Sequence, residues 1–137
     1  MYLRKNLGTA KQYAFALEDE PIQVGEKHMV MESAHAIPTI ADWDGDGLWD
    51  LLSGSDGGAV VWWRNIGTRG APKFAPSVEL VAASSEAPDA PGKRTQVNVC
   101  DFDADGKLDL LVGDYRSAKN AAGKSEHHGY VWWFRRL

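Results

Sequence analysis

Eight aspartates carry most of the chemistry that this chain can do. They stand as Asp42, Asp44, Asp46 and Asp50 in DWDGDGLWDLLSG, and as Asp101, Asp103, Asp105 and Asp109 in DFDADGKLDLLVG. In both stretches the carboxylates fall at positions one, three, five and nine, and four acids so close together repel one another unless a cation sits among them. Hard oxygen donors on a flexible loop suit Ca²⁺. The glycine at position six, Gly47 or Gly106, permits the sharp turn that points successive oxygens inward. The carbonyl at position seven, from Leu48 or Lys107, is expected as a backbone ligand. The sequence therefore predicts two Ca²⁺ sites per chain.

The spacing resembles the first half of an EF-hand loop, but the second half departs from it. An EF-hand closes its site with a bidentate Glu at position twelve and is flanked by helices. Position twelve here is Ser53 or Val112, and the flanks read as strands: Ile37-Pro38-Thr39-Ile40 and Val97-Asn98-Val99 enter, Asp50-Leu51-Leu52 and Asp109-Leu110-Leu111-Val112 leave. Each loop thus joins two β-strands.

The elements that must position the loops repeat with them. The offset of 59 residues between the loops also relates Asn6-Leu7-Gly8-Thr9 to Asn65-Ile66-Gly67-Thr68 and Phe15 to Phe74. Within the complete period, strands are expected at about 36–42, 49–54, 59–65 and 74–81, with Ser55-Asp56-Gly57-Gly58 as a strong turn signal. Four-stranded units at this spacing are what β-propeller blades look like. The fold class expected is all-β, built of four-stranded antiparallel blades with an Asp-rich loop between strands one and two.

Two D-x-D-x-D-G-x-x-D-L-L-x-G loops, each followed by a V-W-W strand, with R-N-x-G-T and P-x-F after the first, resemble the FG-GAP or VCBS repeat, the family that includes the integrin α-subunit propeller. The resemblance implies propeller blades with Ca²⁺ held between strands one and two. Ala104 departs from the pattern by replacing the glycine found at Gly45, and if that position needs a positive φ the second loop is strained.

On this reading residues 1–24 are the end of a blade (strands three and four), 36–82 a complete blade, and 94–137 a blade with strands one to three. Leu3, Trp62 and Trp132 would occupy the same place in three successive repeats. Two blades cannot close a ring of roughly four to eight. The expected partners are therefore further blades of a longer chain or other copies of this one, head to tail, with three chains giving six blades and four giving eight.

A length of 137 residues, 44% hydrophobic and 25% charged, is ordinary for one soluble domain with a real core. The net charge of −4 is located: eight of the 19 acids lie in the two loops, and the other 11 face 15 Lys and Arg. Two Ca²⁺ ions would bring the chain near neutrality, so the acidity belongs to the metal sites. Neither a nucleic-acid partner nor membrane insertion is expected, and residues 1–20 lack signal-peptide features. The resemblance implies an extracellular or periplasmic setting. The single cysteine, Cys100, aligns with Ala41 and reads as a small buried residue.

Trp62-Trp63 and Trp132-Trp133 read as packing between blades rather than as a sugar platform. Gly54 to Trp62 is eight residues and Gly113 to Trp132 is 19, so about 11 extra residues lie within 116–128. This insertion belongs to the end of the blade opposite the loops, where Arg116, Lys119, Lys124, His127 and His128, with Lys93 and Arg94, would make a basic face. A protein or acidic-glycan ligand is the candidate for such a face, and a polysaccharide-active, lyase-like enzyme is the alternative function. No H-E-x-x-H, P-loop or nucleophile-elbow pattern occurs, so the leading expectation is a Ca²⁺-binding, non-catalytic scaffold or binding module.

Overall fold

Gly, Asn, Asp and Pro cut the chain into short extended runs, and those runs pair with their neighbours in sequence. A computed structural model describes residues 1–31, 35–85, 87 and 89–137. Its strands are β1 (Tyr2–Leu3), β2 (Glu20–Pro21), β3 (Gln23–Val24), β4 (Lys27–His28), β5 (Ile37–Ala41), β6 (Asp50–Gly54), β7 (Val60–Trp63), β8 (Val78–Val81), β9 (Lys93–Cys100), β10 (Asp109–Lys119), β11 (Ser125–His128) and β12 (Val131–Phe134). No helix occurs among the described residues, and every strand pairing is antiparallel. The protein is all-β.

The first large sheet has the order β5-β6-β7-β8. Its fourth strand is shorter than the expected run from Phe74 because Pro76, which has no N–H to donate, interrupts the pairing. Phe74 forms only isolated bridges, antiparallel with Asn65 and parallel with Val24. In the second sheet β10 lies between β9 and β12, and its far half pairs with β11. The small pairs β1-β2 and β3-β4 precede the large sheets in the chain.

The register corrects one equivalence drawn from the tryptophan pairs. Trp62 lies opposite Leu52, and the residue opposite the equivalent Leu111 is Trp133, not Trp132. The insertion is therefore one residue longer than the tryptophan alignment implies. Trp133 is the counterpart of Trp62, and Arg135 and Arg136 are the counterparts of Arg64 and Asn65.

One face of the first sheet packs on the second. Ala41, Leu52, Val60 and Val81 join Val97, Leu110 and Val112 in one buried cluster, with Trp62, Trp132 and Phe134 packed against it. The opposite face presents Leu51, Trp63 and Phe74 to Met29, with Met1, Ile22 and Val24 alongside. The first sheet is thus apolar on both faces, which explains the consecutive apolar residues of its strands.

At the turn end the two large sheets approach backbone to backbone. Thr95, fully buried, donates its N–H to the Ser55 carbonyl at 3.0 Å, and its hydroxyl accepts from Ser55 N–H at 3.0 Å and donates to the Ala59 carbonyl at 3.1 Å. A Cβ on Gly54 would lie 2.0 Å from the Thr95 carbonyl oxygen. Gly54→Ala is expected to destabilise by about 1–3 kcal/mol, as overpacking against rigid backbone does. A lower urea midpoint with an unchanged m-value is the expected readout.

Cys100 is half-buried rather than buried like Ala41, because β9 turns it to the outer side of the second sheet, away from the main core.

Candidate metal centre

Each acidic loop is shaped by its own carboxylates before any ion is considered. In the first, Asp42 Oδ2 accepts from Gly47 N–H at 2.9 Å and Asp46 Oδ1 from Leu48 N–H at 2.9 Å. In the second, Asp101 Oδ2 accepts from Gly106 N–H at 3.0 Å and Asp105 Oδ1 from Lys107 N–H at 2.9 Å. These Asx-type turns coil the backbone so that positions one, three and five converge. Asp42, Asp44 and Asp46 each bring one oxygen to within 4.8 Å of the others, and Asp101, Asp103 and Asp105 do the same.

The two loops lie side by side, since Asp42, Trp43 and Asp44 share a cleft of about 370 Å³ with Gly106, Lys107 and Leu108. Arg136 closes one side, its guanidinium 4.8 Å from the Trp43 ring centroid and bonded to the Trp43 carbonyl. Trp49 is exposed, whereas Trp43 is half-buried.

Each loop has one oxygen without a hydrogen-bond partner among the described residues. Asp42 Oδ1 and Asp103 Oδ1 are shielded from solvent and accept no hydrogen bond. Such a group loses hydration without compensation. An oxygen-seeking divalent cation bound among the three carboxylates would satisfy it, so the donor set fits Ca²⁺.

Both clusters also carry a counter-charge that the sequence pattern did not reveal. Arg64 Nε lies 2.5 Å from Asp44 Oδ2, and its Nη2 lies 3.1 Å from Asp46 Oδ2. The bond to Asp46, then the charge of Asp44, pushes the Arg64 guanidinium above its ordinary pKa. Arg135 repeats the arrangement at 2.6 Å from Asp103 and 3.5 Å from Asp105. The available signal was the basic residue closing each tryptophan strand, V-W-W-R and V-W-W-F-R.

The ninth-position aspartates stand apart from both clusters and are fully buried. Asp50 accepts from the N–H groups of Asn65 at 2.7 Å and Trp43 at 3.2 Å, which ties the loop to the end of β7. Asp109 accepts from Arg136 N–H and from the Trp133 indole, both at 2.9 Å. The Arg136 bond leads in holding the Asp109 carboxyl below the usual carboxylate range; burial opposes it, and Trp133, Phe102 and Arg135 assist. Each of these carboxylates keeps lone pairs beyond the bonds it accepts.

Position four differs between the loops as its residue types foretell. Gly45 has φ of 76° and Ala104 has φ of 59°. An L-residue with a Cβ is strained there by roughly 1–2 kcal/mol. Part of that is returned by Ala's smaller unfolded-state entropy, so Ala104→Gly is expected to stabilise by about 0.5–1 kcal/mol. An equal or lower thermal midpoint would remove the strain argument.

At the far end of the second sheet the expected basic face is only partly free. Arg116 turns inward, donating to the Ala87 carbonyl at 2.7 Å and to that of Ala90, with its guanidinium 5.8 Å from the Trp132 ring centroid. His127 Nδ1 shares a 2.7 Å hydrogen bond with the Tyr115 hydroxyl, and Arg94 lies over the Tyr115 ring. Lys119, Lys124 and His128 remain exposed on the hairpin. These contacts make Arg116 and His127 structural members of the insertion.

An all-β chain with two repeated aspartate loops, each set between the first two strands of a sheet, defines the class. The FG-GAP-like repeat family matches it over residues 42–112, just over half of the chain, from the first aspartate of one loop to the strand that follows the other. The chain belongs to that family. No curated protein and no solved structure matches it.

Proposed function

We propose that this chain is a Ca²⁺-stabilised β-propeller segment serving as a non-catalytic scaffold or binding module. The observation that carries the reading is the repeated loop, in which three convergent carboxylates leave one shielded oxygen without a partner. Asp42, Asp44 and Asp46 would hold one ion and Asp101, Asp103 and Asp105 the other, with Asp50, Asp109 and the carbonyls of Leu48 and Lys107 drawn in to complete the oxygen sets as the ion binds. Bound Ca²⁺ supplies charge neutralisation and a fixed turn, so its binding free energy becomes folding free energy.

Residues 36–82 form one blade on this reading, 94–137 supply three strands of the next, and 1–24 the last strands of the one before. The family match supports a propeller-like binding module, and the β5-β6-β7-β8 sheet supports the four-stranded unit. Thermal unfolding in Ca²⁺ and in EDTA is the test. A midpoint raised by several degrees in Ca²⁺, and not by equal Mg²⁺, is expected, and coincident curves would remove the metal from the account.

A further inference from the structure

The second large sheet carries the same outer face as the first, with none of the described strands over it. In the first sheet Ala41, Leu52 and Val60 are 6%, 0% and 0% exposed because the second sheet covers them. Their counterparts are Cys100 and Leu111, both half-buried, and Val131, 75% exposed; Trp133, the counterpart of Trp62, is 46% exposed. Phe102, equivalent to Trp43, adds a further ring at 58% exposure, edge-on to Trp133. The edge of β12 is open as well. Its counterpart β7 pairs with both β6 and β8, whereas β12 pairs with β10 alone among the described residues. An open edge beside an apolar face is a template for strand addition.

The chain contains one spare segment of the β8 type. By the repeat offset, Glu20 and Ile22 correspond to Glu79 and Val81 of β8. In this structure the segment is held by two residue pairs, Tyr2 with Pro21 and Leu3 with Glu20, and by the bond from Ile22 N–H to the Met1 carbonyl at 3.0 Å. The flanking ion pairs Arg4–Asp19 and Lys5–Glu20 are about half exposed and add little. β12 offers a four-residue strand in place of the two residues of β1.

The faces agree too. Met1 packs against the Leu51, Trp63 and Phe74 side of the first sheet, and its counterpart in the second sheet is the exposed Val131.

We infer that β12 of one copy takes the place of β1 against residues 19–22 of a second copy, so that Val131 and Trp133 pack on the Leu51, Trp63 and Phe74 face of that copy. The contact is heterologous, with two different surfaces meeting. It propagates head to tail and closes only at a whole number of two-sheet units. The inference rests on the propeller reading, because it assumes that successive sheets stack alike.

Cysteine trapping tests it. Val60 and Val81 are Cα partners in the first sheet, so Val131→Cys and Ile22→Cys, in a Cys100→Ala background, should face each other between copies. Within one chain the first sheet stands between these positions. Oxidation should convert most of the protein to covalent oligomers ending in a closed trimer or tetramer, with light scattering giving the same mass for the unmodified chain. A second variant, Val131→Lys, should be monomeric while keeping its Ca²⁺-dependent unfolding. A monomeric unmodified chain, with no intermolecular disulfide in the cysteine variant, overturns the inference, even where Ca²⁺ still stabilises the fold. Loss of Ca²⁺ dependence in the unmodified chain counts instead against the propeller reading.

Discussion

Asp44→Ala is expected to lower the thermal unfolding midpoint in Ca²⁺ by roughly 10 °C, while moving the midpoint in EDTA by much less. A site held at 100 times its dissociation constant adds about 2.7 kcal/mol to the folded state. In a chain of this size each kcal/mol shifts the midpoint by roughly 3–5 °C. Asp44 is the residue to change because its carboxylate both joins the triad and receives Arg64 at 2.5 Å. Asp103→Ala is the matching change in the second loop, where Asp103 carries the orphaned oxygen and the Arg135 contact. The double variant should melt alike in Ca²⁺ and EDTA. Differential scanning calorimetry at fixed free Ca²⁺ is the measurement, and a Ca²⁺-dependent midpoint that survives in the double variant would place the ion elsewhere.

The second large effect is expected at Asp114, which lies outside both loops. Its side chain is fully buried, and it accepts from Gly92 N–H at 2.6 Å, the Trp132 indole at 2.9 Å and Tyr130 N–H at 2.8 Å, with Arg116 Nε at 3.5 Å. One carboxylate thus joins the start of β9, the start of β12 and the root of the insertion. Asp114→Ala leaves three donors and part of a guanidinium unsatisfied, at about 2–4 kcal/mol in urea unfolding. Burial alone would raise this carboxyl's pKa. The Gly92, Trp132, Tyr130 and Arg116 donors outweigh it and hold the group below the ordinary range. With the folded value lowered, Asp114's stabilisation is complete above the ordinary carboxylate pKa of about 4 and is lost as pH falls through the lowered value. Protection of the Tyr130 and Gly92 amides, relative to their intrinsic exchange rates, should fall with acid in that window, and in Asp114→Ala it should already be low at neutral pH.

The loops were legible in the sequence because their chemistry is local: positions one to six lie within one turn, and the position-four difference between Gly45 and Ala104 is visible in residue type alone. The strands around them were legible because the repeat supplied two readings of each. What escaped depends on contacts between distant segments. Arg64 and Arg135 are recognisable as counter-charges only once β7 and β12 are known to end beside the loops. The true partner of Trp62 was hidden by an insertion whose length the tryptophan pair seemed to define, and only the pairing of Leu111 with Trp133 fixes it. Asp114 gave no local signal, since its partners come from Gly92, Tyr130 and Trp132. Cys100 was misjudged because its burial depends on whether the outer face of the second sheet is covered.

Isothermal titration of the metal-free chain with Ca²⁺ counts the ions that the loops hold. Two ions per chain are expected, one ion for Asp44→Ala or Asp103→Ala, and none for the double variant. Absence of binding in the unmodified chain, or undiminished binding in the double variant, would contradict the assignment of these loops as the calcium sites.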